Sequence, residues 1–236
     1  MWKPIELDDK QLWIVFIAVF LGNVFYILPF MDVARSFRER TPLPSTPYFY
    51  SLSMINTLIW CSYGFIIPDP FFLGSDMIGT IATTYYFLVA LVVEGGGGGR
   101  VGGEGGSGTT GRAGSAGFIV FHTAQVAVVM LGCFYAQWVS VPIEKMLGWA
   151  GNIWSIAMLW APIIDAVEAW KTKDRGRIFM PISVLTVINS SIWTAYGVWL
   201  KLNYVWMPSI LTLTSGVIQI GVYLALSYRD IEIVIV

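Results

Sequence analysis

The stretch PFMDVARSF, Pro29 to Phe37, returns as PIIDAVEAW, Pro162 to Trp170, at an offset of 133 residues. The same offset carries Leu52 onto Leu185, Asn56 onto Asn189, Trp60 onto Trp193, Tyr63 onto Tyr196 and Gly64 onto Gly197, with no gap. One three-span unit therefore occurs twice. The shared residues are Pro, Asp, Asn, Trp and Tyr, which a lipid-facing helix does not need. A repeated polar and aromatic set inside apolar spans points to a path through a membrane, built from two halves.

The spans themselves follow from composition. Of 236 residues, 56% are hydrophobic and 12% charged, against about 25% charged in a soluble domain. Apolar runs long enough to cross a bilayer fall at 11–31, 48–67, 73–93, 118–139, 147–166, 179–200 and 205–227. The expected fold is an all-α integral membrane protein of seven transmembrane helices. The first run is not a signal peptide: it is too long, acidic residues precede it, and its landmarks recur later. A net charge of −1 gives no reason to expect nucleic acid. Cys61 and Cys133 lie inside spans and read as packed thiols. With one histidine, His122, the chain has no material for a zinc cluster or a His-based triad, and no cofactor is expected.

The expected organisation is a first three-helix repeat over 1–94, a glycine-rich flexible linker over 95–117, a linker helix and loop over 118–146, a second repeat over 147–228 and a tail over 229–236. Thirteen of the 23 residues at 95–117 are glycine, a composition without a fold of its own. GGGGGR lacks the GK[ST] ending of a phosphate loop. A three-span unit reverses direction across the membrane, so a direct duplication would invert the second copy. The extra fourth span restores the direction and makes the two bundles parallel, a 3+1+3 layout. That span shows no polar stripe and reads as a topological strut. Ten Lys/Arg follow the odd-numbered spans and four lie on the other side, which places the N-terminus outside and the C-terminus in the cytosol.

Asn56, Trp60 and Tyr63 are spaced i, i+4, i+7 and share one helix face; Asn189, Trp193 and Tyr196 repeat it. An unpaired amide in hydrocarbon costs on the order of 4–8 kcal/mol, so these faces should meet protein or water. Two such faces opposed would form a chamber of amides and flat indoles suited to a neutral polyhydroxylated ring. Asp76 lies one turn into the third span, where a carboxylate is a functional candidate; its mate is Ser209. Pro29 and Pro162 come late in their spans and permit bending, while Pro47 and Pro181 open the next ones. Asp32 and Asp165 read as salt-bridged loop anchors. Gly64, Gly79, Gly197 and Gly216 read as packing positions.

The segments MINTLIWCSYG (54–64), PISVLTVINSSIWTAYG (181–197), GNIWSIAMLWAP (151–162) and MPSILTLTSGVIQIGVYLAL (207–226) resemble the SWEET (MtN3/saliva) sugar-transporter family. The resemblance implies a bidirectional facilitator for a mono- or disaccharide, working by alternating access without ion coupling. It implies a cytosolic proline gate of Pro29, Pro47, Pro162 and Pro181 and extracellular gate tyrosines Tyr63 and Tyr196. Pocket positions would be Trp60 and Trp193 with Asn56 and Asn189 below them. The family's sugar-holding asparagines of spans three and seven are replaced by Asp76 and Ser209. The expected partners are a small sugar and the lipid bilayer, with a homo-oligomer compatible with the layout. The expected residence is the plasma membrane, an endomembrane being the alternative. Two rival readings stay open: a proton-coupled PQ-loop-type carrier of an amino acid or amine, and a non-transporting receptor or scaffold. The first would use Asp76, although no Pro-Gln dipeptide occurs in the chain.

Overall fold

Helix accounts for nearly all of the computed structural model, which describes residues 8–41, 43, 45, 47–67, 69–95 and 109–235. Most of the glycine segment, with Arg100 and Glu104, and the N-terminal Trp2 and Lys3 lie outside the described residues. The helices are α1 (Asp9–Ile27), α2 (Phe30–Glu39), α3 (Pro47–Ile66), α4 (Pro70–Gly95), α5 (Thr109–Trp138), α6 (Ile143–Met158), α7 (Trp160–Thr172), α8 (Met180–Trp199) and α9 (Asn203–Ile235). The protein is an all-α membrane protein with seven helical spans.

Two of those spans are broken helices. α1 and α2 form one span, as do α6 and α7. The breaks fall at Leu28–Pro29 and at Leu159, three residues before Pro162. Proline lacks an N–H and its ring crowds the carbonyl four residues back, so the helix must open there. The opening is shallow: Pro29 sits at φ −71°, ψ −10° and Leu159 at φ −67°, ψ −17°, both still right-handed helical. These are kinks in continuous spans, as the proline positions suggested.

Five spans, Asp9–Glu39, Pro70–Val93, Gly117–Trp138, Ile143–Thr172 and Asn203–Arg229, are long and apolar enough to cross a bilayer by length and composition alone. The remaining two helices, α3 and α8, carry Ser, Thr, Asn and Tyr in place of some aliphatic residues. They are also the two that hold the repeated Asn–Trp–Tyr face. The polar residues that make them candidates for function are the ones that lower their hydropathy.

Contacts divide the chain into two compact units. The first is Gly22–Trp154; the second joins Ser155–Val236 to the start of α1, through Leu21. These limits differ from the repeat limits read from sequence. The first part of α6 counts with the first unit because Gly151 lies against the Trp60 ring and Trp154 bonds Gln125. α5 begins at Thr109, earlier than the span drawn from residue 118.

The duplication is visible at the level of single hydrogen bonds. Leaving α3, the Ile67 amide donates to Tyr63 O, Asp69 to Gly64 O and Leu73 to Asp69 O. Leaving α8, Leu200 donates to Tyr196 O, Leu202 to Gly197 O and Trp206 to Leu202 O, each at the same offset. Glycine is required at both corners. A Cβ on Gly64 would lie 2.9 Å from Phe72 Cβ and 3.2 Å from the Leu73 amide; on Gly197 it would lie 2.7 Å from the Trp206 amide. The second clash is with backbone, which cannot rotate away. Gly197→Ala is therefore expected to destabilise the fold by about 1–3 kcal/mol, as overpacking does; a thermal melt in detergent checks this, and an unchanged midpoint contradicts it.

In each repeat the third span sits between the other two. α4 packs against α2 and α3, and α9 against α7 and α8. α5 packs on α3 and α4.

Candidate functional site

The repeated face survives in three dimensions. In α3 the Trp60 ring meets Tyr63 edge-on at 5.6 Å and 83°; in α8 Trp193 meets Tyr196 at 5.4 Å and 87°. All four rings are buried. Edge-to-face pairs of this kind are favourable beyond their area, so each indole is held by the phenol one turn away. Trp60 is further fixed by a stack on Phe72 at 12° and by Gly151, whose absent side chain makes room for the indole.

The amides differ between the copies. Asn56 is buried in α3. Asn189 Oδ1 in α8 is buried with no hydrogen-bond partner among the described residues. An unsatisfied buried acceptor costs about 1–3 kcal/mol, and more where no water reaches it. A hydroxyl donor arriving at Asn189 would remove that cost. The carbonyl lies one turn from Trp193, which offers a flat apolar face. Amide acceptor and indole face together match the two sides of a sugar ring.

Asp76 is 8% exposed and lies in α4, whose N-terminus is capped by the Asp69 carboxylate, seven residues before Asp76. It is therefore an interior residue of the span and not a solvated capping residue. The Tyr26 hydroxyl donates to its carboxylate at 3.4 Å, and Tyr26 also fills the space left by Gly79. Beside it Asn23 donates to Gly74 O at 3.1 Å, while Asn23 Oδ1 is buried without a partner among the described residues. Asn23, Tyr26 and Asp76 form a polar cluster in the first unit. Sequence reasoning missed the first two as participants. The signal was their i, i+3 spacing on an otherwise apolar helix. Ser209, the mate of Asp76, spends its hydroxyl on Val205 O of its own helix at 2.7 Å.

The fourth span is more than a strut. Trp154 donates its indole N–H to Gln125 Oε1 at 2.8 Å, Gln125 Nε2 donates to Ser51 Oγ at 2.7 Å, and Ser51 Oγ meets His122 Nδ1 at 2.9 Å. His122 also lies against the Phe87 ring at 4.2 Å. An indole can only donate, so the Gln125 amide has one orientation and the Ser51 proton remains available for His122. The expectation of no polar stripe is corrected: His122 and Gln125 tie α5 to α3 and α6. Gln125→Leu would leave the Trp154 N–H and Ser51 short of partners. It is expected to cost about 1–3 kcal/mol in thermal unfolding, and no loss of stability would count against the chain of bonds.

The gate candidates stand as follows. Pro29 and Pro162 mark the two breaks, Pro47 is the first residue of α3 and Pro181 the second of α8. Pro29 and Pro47 belong to the first unit, Pro162 and Pro181 to the second. Asp32 pairs with Arg35 at 3.6 Å, but both side chains are 61% exposed, where such a pair contributes little. At the second loop Arg177 pairs with Glu168 and reaches Asp174. Glu168, one turn beyond Asp165, holds that cation. Arg175 bonds Ser227 at 3.0 Å and Lys173 lies over Trp170 at 4.4 Å. Among the described residues no group of three or more His, Cys, Asp or Glu could hold a metal ion.

Two in-register three-helix repeats, each with a kinked first span and a buried Asn–Trp–Tyr face on the second, define the class: a duplicated all-α multi-pass membrane protein. Residues 145–230 match the family model described as "Sugar efflux transporter for intercellular exchange". The chain is 25% identical over 173 residues to "Sugar transporter SWEET1" of Rattus norvegicus, covering 72% of this chain and 70% of the relative. It is 25% identical over 228 residues to "Bidirectional sugar transporter SWEET8" of Arabidopsis thaliana, covering 94% and 87%. A solved eukaryotic SWEET transporter superposes with TM-score 0.67 at 19% identity, covering 93% of this chain and all of that one, which fixes the fold. The chain is similar to the SWEET (MtN3/saliva) family, in its second repeat by the family model and over most of its length by these relatives.

Proposed function

We propose that this chain is a bidirectional facilitative transporter of a mono- or disaccharide, working by alternating access. The observation that carries the reading is the buried, unpartnered Asn189 Oδ1 one turn from the Trp193–Tyr196 pair, on a face that recurs as Asn56, Trp60 and Tyr63. The relatives are named sugar transporters and are not named as enzymes, in keeping with a binding and release cycle that makes no covalent bond. Within each unit a tryptophan (Trp60, Trp193) supplies an apolar ring for C–H groups and an asparagine one turn away (Asn56, Asn189) a bond for hydroxyls, with Asp76 and Ser209 as further acceptors on the third spans. The kinks at Pro29 and Pro162 supply the bending, with Pro47 and Pro181 at the adjoining helix starts. Tyr63 and Tyr196 close the outer side. The lysine and arginine distribution favours an outside N-terminus and a cytosolic C-terminus, and the proposed residence is the plasma membrane.

The test is uptake of a labelled sugar panel into proteoliposomes, with and without an imposed pH gradient. Saturable uptake that follows the sugar gradient alone supports the reading; no flux of any sugar, with specific binding to another protein, favours a receptor. Asp76 separates the remaining alternative. Asp76→Asn is expected to leave the pH profile of uptake unchanged, because passive movement of a neutral sugar carries no proton. Proton flux with substrate that disappears in Asp76→Asn would replace this reading with the coupled one.

A further inference from the structure

The third span of each repeat touches the proline break of the first span at one register position. Tyr86 in α4 and Gln219 in α9 are mates at the 133-residue offset. The Tyr86 hydroxyl donates to the backbone carbonyl of Tyr26 at 2.6 Å, three residues before Pro29. The Gln219 Nε2 donates to the backbone carbonyl of Pro162 at 3.0 Å. Both side chains are buried. Both are also steadied by the second span at matching positions. Ser183 donates to Gln219 Oε1 at 2.8 Å, and its mate Tyr50 lies against the Tyr86 ring at 5.9 Å.

Near a proline kink the carbonyls tilt away from the helix axis and can accept a further bond from a neighbouring helix. The two accepting carbonyls are not themselves mates, since Tyr26 falls on Leu159, but the donors are. The orientation of Gln219 is fixed: a carbonyl can only accept, so the amide nitrogen must face Pro162 and the oxygen must face Ser183. A tyrosine and a glutamine share neither size nor shape. What the repeat keeps at this position is a neutral donor long enough to reach the break. Helix packing alone would accept Leu or Phe at either site. A charged donor would also reach, but would carry an unpaired charge into the span.

We infer that Tyr86 and Gln219 are equivalent positioning residues: each ties the kink of the first span to the third span, so that the break bends as part of its three-helix bundle. The rate arm of the test below rests on the transport reading; the exchange arm does not. The purified full chain is compared with Tyr86→Phe, which removes one oxygen atom, with Gln219→Leu and with Ser183→Ala. Hydrogen–deuterium exchange is read in detergent. Tyr86→Phe should speed exchange about two- to tenfold over residues 24–33 and leave 158–168 unchanged. Gln219→Leu should do the reverse, and Ser183→Ala should give a smaller effect at 158–168. In proteoliposomes the same variants should lower the maximal sugar flux while the half-saturating concentration stays fixed. Unchanged exchange over 24–33 in Tyr86→Phe overturns the inference, as does a half-saturation point that moves with the rate. Local exchange that shifts as expected in a chain that moves no sugar upholds the tie and refutes the transport reading instead.

Discussion

Trp193→Ala should abolish sugar uptake in proteoliposomes while the protein still inserts and purifies. The indole is buried and held edge-on by Tyr196. It supplies an apolar wall against which ring C–H groups can stack, and alanine leaves nothing at that distance. Core truncation of a Trp costs about 3–5 kcal/mol, so folding must be scored separately. A melt that remains cooperative together with absent flux places the effect in the site. Flux equal to the parent's removes Trp193 from it. Trp193→Phe keeps a flat face and should retain partial activity, an outcome a cavity alone does not explain.

Asn189→Leu should separate stability from activity more sharply. In the parent, Asn189 Oδ1 is buried without a partner among the described residues. Replacing an unsatisfied amide with an apolar group of similar volume relieves a cost of about 1–3 kcal/mol. The variant is therefore expected to melt higher than the parent and to transport at least about tenfold more slowly, one lost hydroxyl bond to a buried acceptor being worth that much. A lower melting point would mean the amide already has a structural partner. Unchanged flux would mean the sugar does not use it. Stability and function moving in opposite directions is the pattern of a polar group retained for binding.

Much of the fold was legible because the duplication leaves marks that local pattern reading can find. The offset from Pro29 to Pro162 located both kinks, and the Gly64/Gly197 pair, read only as packing positions, stands in the structure at both tight corners. The Trp60–Tyr63 and Trp193–Tyr196 pairs followed from i, i+3 spacing, which a helix turns into contact. What escaped notice depends on partners distant in sequence. His122 and Gln125 sit among valines and phenylalanines in α5, and their partner Ser51 is more than 70 residues away. Asn23 and Tyr26 likewise find Gly74 and Asp76 only after folding. The offset gave no help with these, because none of them has a matching mate: Asn23 falls on Ile156 and Tyr26 on Leu159. A repeat exposes what both halves keep and hides what one half acquired alone.

The corners at Gly64 and Gly197 bear on how the chain is made as well as on how it rests. Each closes through bonds between residues five or fewer apart, Asp69 to Gly64 and Leu202 to Gly197. Such a corner can form as soon as it leaves the ribosome, before later segments exist. α3 and α4 can then enter the bilayer as a ready-paired hairpin, and α8 and α9 as another. With its helix partnered on entry, Asn56 would not face lipid alone during synthesis. Nascent chains arrested soon after α4 should already protect α3 from protease in microsomes, and a bulky residue at Gly64 should delay or abolish that protection.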